Sequence, residues 1–425
     1  MAWSRRRCLH LGFAAAAAPL AVTGAPTGLR LLTELPGGNA HPTQTLVVDD
    51  GNATPRLRLA LRNPEGGLPQ WQSFRFGLTG CAGRPVAVQL PLRHKEGGPG
   101  VRRAWAGPFW SPRYDDHRGW QPLPREVVDG ELRFVVDPGG ADTVYVCSMP
   151  PNAAPQCRAW IAALRDAHPD WVHDDLASRR AQGLGPYMCG VAPAVRDELG
   201  RPLRDQVLWG LRIGLAQPAP RPRCVAMAHA HPSEDHGPLQ LRGFVDAWLT
   251  DPSLAALRDS TDLVVYPLLA ANGVHGGYRR HEPRPDLPSG DDLNRSFGAQ
   301  RPPGLSNAWR RIWAQDLPPA LTVAGLDFHD VSPGGQLAWA YHPPIVSVEV
   351  LDSVRRHHRS IQFQRSTLDD TTMAWLRAHT AAGRRALAFT AEVSDEAGTL
   401  DDYARVGADW AQVMRAWHAA GWLAP

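Results

Sequence analysis

Apolar positions along the chain follow two regimes. Between Leu29 and about Pro150 they come in short runs of strand length. Arg56 to Leu61, Ser73 to Leu78, Val86 to Leu90, Leu132 to Val136 and Thr143 to Val146 alternate or run apolar, with Gly, Pro and Asp clusters between them. Several short strands at such intervals predict an antiparallel β-sandwich of roughly 100 residues. From about Ala154 the period changes: 154–168 carries Trp160, Ile161 and Leu164 at helical spacing, and 237–249, 306–317, 369–382 and 400–422 also read as helices. Between them lie four apolar runs, 224–228, 263–269, 321–328 and 386–393, so strands alternate with helices and an α/β catalytic-type domain is predicted. The division falls near Pro150-Pro151, giving a sandwich over 26–150 and an α/β domain over 151–425.

Composition narrows this picture. A chain of 425 residues has room for two or three domains, and with 43% hydrophobic residues and 16 Trp it can bury a core in each. The 40 Gly and 40 Pro follow no period, which excludes collagen and suits a loop-rich enzyme or β protein. Basic residues number 45 against 42 acidic, without long runs of one sign, so nucleic acid is not an expected partner. Six scattered cysteines, at 8, 81, 147, 157, 189 and 224, read as buried thiols; Cys147 with Cys157 is the one pairing considered.

The N-terminus differs in kind. Arg5, Arg6 and Arg7 precede an apolar run from Leu11 to Val22 and the small residues Thr23, Gly24 and Ala25. This is the layout of an export leader over 1–25, and Ser4-Arg5-Arg6-Arg7-Cys8-Leu9 resembles the twin-arginine type. The run falls well short of the roughly 20 residues that cross a bilayer, so no membrane span is expected. A periplasmic or secreted location follows, with a cytoplasmic one as the alternative.

Five places carry chemistry. His231-Pro232-Ser233-Glu234 follows an apolar strand and can set an imidazole and a carboxylate on one ion; alone, it also fits a surface turn. A third ligand is supplied by His329 in Leu326-Asp327-Phe328-His329-Asp330, with His229 and His236 as competitors. Asp292-Leu293-Asn294-Arg295 offers an Arg fork and an amide for a carboxylate, or else an ordinary turn. Gly276-Gly277-Tyr278-Arg279 delivers a further Arg from a glycine turn. Glu392 stands alone in the apolar run Phe389-Thr390-Ala391-Glu392, where a carboxylate is costly without a partner or a task.

Taken in order, these motifs resemble the zinc metallocarboxypeptidases, in the cytosolic carboxypeptidase-like branch. Gly37-Gly38-Asn39, the Phe74-Arg75-Phe76 strand, Gly107-Pro108-Phe109-Trp110 and Thr143 to Val146 look like that branch's N-terminal β-sandwich. The resemblance implies an antiparallel sandwich followed by an α/β domain with a mixed sheet flanked by helices. It implies one Zn2+ on His231, Glu234 and His329, with Asp292 orienting His231. Glu392 would be the general base toward a zinc-activated water, and Arg279 would stabilise the oxyanion. Asn294 and Arg295 would hold the substrate's free C-terminal carboxylate, so the substrates would be peptide or protein C-termini. Met373, two positions before Trp375, would lie at the base of the pocket for the departing residue or be plain core; Arg377, Arg384 or Arg385 would replace it if the helix were shifted. The chain departs from the family at Ala270-Ala271-Asn272-Gly273, whose turn lacks the usual Asn and Asp, at Gly277, and at Asp330 in place of Gly. No tyrosine lies between Tyr341 and Tyr403 to close over a substrate. A deacylase of N-acyl amino acids and a catalytically silent binding protein are the alternative readings.

Overall fold

The computed structural model describes residues 28–49, 54–62, 73–81, 83–91, 107–116, 118–216, 220–298, 304–331, 337–358, 361–379, 387–394 and 398–424. The expected leader, and Arg384 and Arg385, lie outside them. Among the described residues, no helix is long and apolar enough to cross a membrane.

The alternating segments before Pro150 form two five-stranded sheets. One joins Arg30–Leu32, Arg75–Thr79, Thr143–Cys147, Phe109–Ser111 and Gln121–Pro122, all antiparallel. The other joins Leu46–Val48, Arg56–Arg58, Val86–Pro91, Glu131–Val136 and Arg125–Val128; here one neighbouring pair, Arg56–Arg58 with Val86–Pro91, runs parallel. Side chains alternate across a strand. Phe74, Phe76, Val86, Val88 and Phe134 therefore meet in one apolar core, and Arg75 faces the other way.

The remainder is built on an eight-stranded mixed sheet, in the order Val172–His173, Leu211–Ile213, Asp262–Tyr266, Arg223–Ala228, Thr322–Val331, Ala388–Ser394, Ala338–His342, Ile361–Arg365. The four apolar runs read from the sequence are its central strands, parallel to one another. Helices cover both faces. Phe328 packs on Phe244 of the helix His236–Thr250, with ring centroids 5.7 Å apart. Gly325, Asp327 and His329 point the opposite way by strand alternation, and a Cβ on Gly325 would stand 2.1 Å from Leu376 of the helix Thr372–His379. The long helix Leu400–Ala419 lies across His236–Thr250 with a glycine from each at the crossing. A Cβ on Gly243 would meet the Ala404 carbonyl oxygen at 2.0 Å, and one on Gly407 the Gln240 carbonyl oxygen at 1.9 Å. Behind them Trp248, Trp410 and Trp417 are fully buried. The described cysteines Cys81, Cys147, Cys157, Cys189 and Cys224 are free and buried, as expected.

Candidate active site

The strand Arg223–Ala228 ends one residue before His229, whose φ of 65° is left-handed and turns the chain into the loop that carries His231 and Glu234. His329 comes from the neighbouring parallel strand. In register, Met227 pairs with Asp327 and Ala228 with Phe328, which sets both ligand segments at the same end of the sheet. His231, Glu234 and His329 are all buried, and their potential ligand atoms lie within 4.8 Å of one another. Nδ1 of His231 is 2.7 Å from Glu234 Oε1, and Nδ1 of His329 is 2.7 Å from Glu234 Oε2.

Each imidazole is backed on its other side. Nε2 of His231 lies 3.1 Å from Asp292 Oδ1, and Nε2 of His329 lies 2.9 Å from Asp327 Oδ2. Each ring lies between two carboxylates, Nδ1 toward Glu234 and Nε2 toward an aspartate; a ring that keeps one proton on Nε2 for its aspartate has an Nδ1 lone pair to offer an ion at the shared centre. Two inward nitrogens and one carboxylate, each histidine steadied by an aspartate, fit the donor set of a catalytic zinc. The electrostatics agree. Burial works to lower the His329 pKa, but Asp327 and Glu234 outweigh it and hold it well above the ordinary range. Burial works to raise Glu234, yet His231 and His329 pull it below the ordinary carboxylate range.

Glu392 enters from the next strand, Ala388–Ser394, paired with His329 in parallel register. Its Oε2 is buried with no hydrogen-bond partner. Burial pushes its pKa up to about 8, opposed by His329 and assisted by Glu234. Asn294 and Arg295 lie in the single turn Leu293–Arg295 that follows the hairpin strand Leu287–Asp292. Asn294 Oδ1 accepts from Thr372 N at 3.1 Å, and its amide nitrogen stands 3.5 Å from His329 Nε2. Arg295 Nη1 donates to the Asn294 carbonyl oxygen at 2.9 Å. Arg279 contributes its carbonyl oxygen to Ser233 N at 2.9 Å, which ties the glycine turn to the ligand loop. Met373 is buried beside Thr372 at the start of its helix, and Trp375 stacks on His379 at 4.4 Å.

The two competing histidines stand apart from the cluster. His229 Nε2 lies 3.0 Å from the Pro232 carbonyl oxygen, and burial lowers its pKa to about 3. His236 Nδ1 lies 2.7 Å from Asp330 Oδ2.

Four residues here were not singled out from sequence. Asp327 backs His329; its two-residue spacing on one strand was the available signal. Arg280, next to Arg279, donates through Nε to Asp292 Oδ2 at 2.7 Å. Its charge also reaches Glu234 and Glu392. Glu282 accepts from Asn272 N at 3.2 Å and Gly273 N at 2.7 Å, and so holds the Asn272 turn from the hairpin. Tyr341 is half-buried on the strand beside Glu392; burial, then the Glu392 charge, raises its pKa.

Comparison with known proteins bears on this arrangement. No family model matches the chain. A metallo-carboxypeptidase from Pseudomonas aeruginosa superposes with a TM-score of 0.62 over 93% of this chain and 100% of that one, at 16% identity. One from Burkholderia cenocepacia does so at 0.61, with the same coverage and identity. The chain has the metallo-carboxypeptidase fold. A similar structure from Shewanella denitrificans, a putative carboxypeptidase A, gives a TM-score of 0.62 over 92% of the chain at 16% identity. In sequence, cytosolic carboxypeptidase 2 of Xenopus tropicalis is 29% identical over 141 residues. That match spans 33% of this chain and only 14% of the relative's length. Within the metallo-carboxypeptidase fold, the His231–Glu234–His329 cluster lies at the end of the central parallel strands.

Proposed function

We propose that the protein is a zinc metallocarboxypeptidase that hydrolyses the last peptide bond of peptides or proteins. One observation carries the reading: three buried ligands converge, both histidines are backed by aspartates, and the partnerless Glu392 carboxyl oxygen stands one strand away. His231, Glu234 and His329 would hold the ion, which when bound supplies a Lewis acid for the scissile carbonyl and an acidified water. Glu392, through its partnerless Oε2, would take the proton from the attacking water and pass it to the leaving amine. Asn294 and Arg295 would hold the free terminal carboxylate, and Arg279 would stabilise the charge that develops on the carbonyl oxygen. Met373 gives the pocket an apolar base, which suits an apolar or neutral terminal residue; among peptides ending in Leu, Glu or Lys, the Leu peptide should be cut fastest, and a preference for Glu would remove Met373 from the pocket. The sandwich and the α/β unit act as two domains of one enzyme, and the leader directs it to export, which the N-terminus of purified periplasmic protein would report.

Glu392→Gln tests the reading. The variant should bind zinc as the wild type does, because its shape is kept, and should lose turnover by about 10²–10⁴-fold, the range for removal of a general base. Near wild-type turnover would take the base role from Glu392.

A further inference from the structure

Strand alternation sends Phe74 and Phe76 into the sandwich core and so turns Arg75 outward, toward the larger unit. Its register partner Cys147 already belongs to that unit's core. The strand is held at this point, since Arg75 N donates to Asn39 Oδ1 at 2.8 Å and Asn39 Nδ2 donates to the Ser73 carbonyl oxygen at 2.9 Å. The guanidinium is almost wholly buried, and its Nη2 donates to both carboxylate oxygens of Asp235. Asp235 is the residue directly after Glu234 and the one directly before the helix His236–Thr250. Its Oδ1 also lies 3.5 Å from His229 Nε2, and that ring in turn meets the Pro232 carbonyl oxygen. A chain of contacts thus runs from the sandwich through Asp235 and His229 and grips the ligand loop on both sides of His231 and Glu234.

We infer that Arg75, in the N-terminal sandwich, is a positioning residue for the metal centre: by holding Asp235 it sets where Glu234 presents its carboxylate to His231 and His329. The inference rests on the proposed zinc function. Plain interface packing does not account for it, because a buried ion pair stabilises a fold no better than apolar groups of the same size. The pair also falls next to a ligand, where small displacements are felt. A second sandwich arginine, Arg62, acts alike on the turn that leads to Arg279 and Arg280. It donates to the Gly38 carbonyl oxygen at 3.0 Å and to the Gly276 carbonyl oxygen, and it pairs with Glu198 at 2.8 Å.

Zinc affinity, measured by competition with a chromophoric chelator, separates positioning from packing when read beside the thermal unfolding of the metal-free proteins. Groups that orient metal ligands typically carry about 10–100-fold in affinity. Arg75→Met and Asp235→Asn should each lose an amount in that range. Arg75→Lys, which keeps the charge but not the fork, should lose less. The double variant Arg75→Met/Asp235→Leu should recover the unfolding temperature but not the affinity. Folded variants that bind zinc within about twofold of wild type, against that expected 10–100-fold, would overturn the inference. If Arg75→Met does not fold, Asp235→Asn decides, since it preserves the side-chain shape. Wild-type protein that binds zinc no better than Glu234→Ala would instead remove the zinc function itself, and this inference with it.

Discussion

Identical side chains take opposite properties here according to what surrounds them. Glu234, between two histidines, is held ionised, whereas Glu392, with one oxygen lacking any partner, is pushed up to about 8. The same physics acts on His358, which is buried against Trp410 with ring centroids 5.6 Å apart. Burial lowers its pKa to about 4. The unfolded chain takes up a proton there near pH 6.5 and the folded chain does not, so stability falls as the pH drops from 6.5 toward 4. The loss is about 3 kcal/mol across that window. Urea unfolding of His358→Leu at pH 7 and pH 4.5 should show a clearly flatter dependence than the wild type; an unchanged slope would mean that this histidine is not buried neutral.

Elements are held by close approach as well as by apolar area. The crossing of His236–Thr250 with Leu400–Ala419 leaves no space for a Cβ, and the atoms met are backbone, which cannot rotate away. Gly407→Val should therefore cost about 3 kcal/mol or more, read as a lower unfolding temperature, whereas a loss below about 0.5 kcal/mol would show that the helices separate easily. The ligand loop leads directly into one of these helices, with Asp235 as the residue before its first turn. The central parallel strands were legible in the sequence because their apolar runs are buried on both faces. Their ends were less so: the run 263–269 stops as a strand at Tyr266, since Pro267 has no N–H to give the ladder. Ile361–Arg365 was missed because this edge strand is only half covered, and Val348–His357 because Val348-Glu349-Val350 opens with the alternation of a strand. In the site, residues in sequence motifs could be named. Arg280 and Glu282 could not, because their roles depend on a hairpin, His281–Arg284 with Leu287–Asp292, that folds them back onto Asp292 and the Asn272 turn.

At the scale of the molecule, two β-rich and α/β layers meet at buried arginines, and the ligand loop lies directly over that junction. The fold is that of the metallo-carboxypeptidases, and the activity proposed for this chain is removal of C-terminal residues by means of zinc. Mass spectrometry of purified, zinc-loaded protein with paired peptides, identical except for a free or an amidated C-terminus, tests this most directly. A charge-assisted contact to a carboxylate is worth about 1.5–3 kcal/mol, so the free peptide should lose its last residue about 10–100-fold faster, and Arg295→Ala should erase most of that difference. Removal of the metal by a chelator should stop both reactions, and added zinc should restore them. Equal cleavage of the two peptides, or cleavage inside the chain that survives chelation, would contradict a zinc-dependent carboxypeptidase activity.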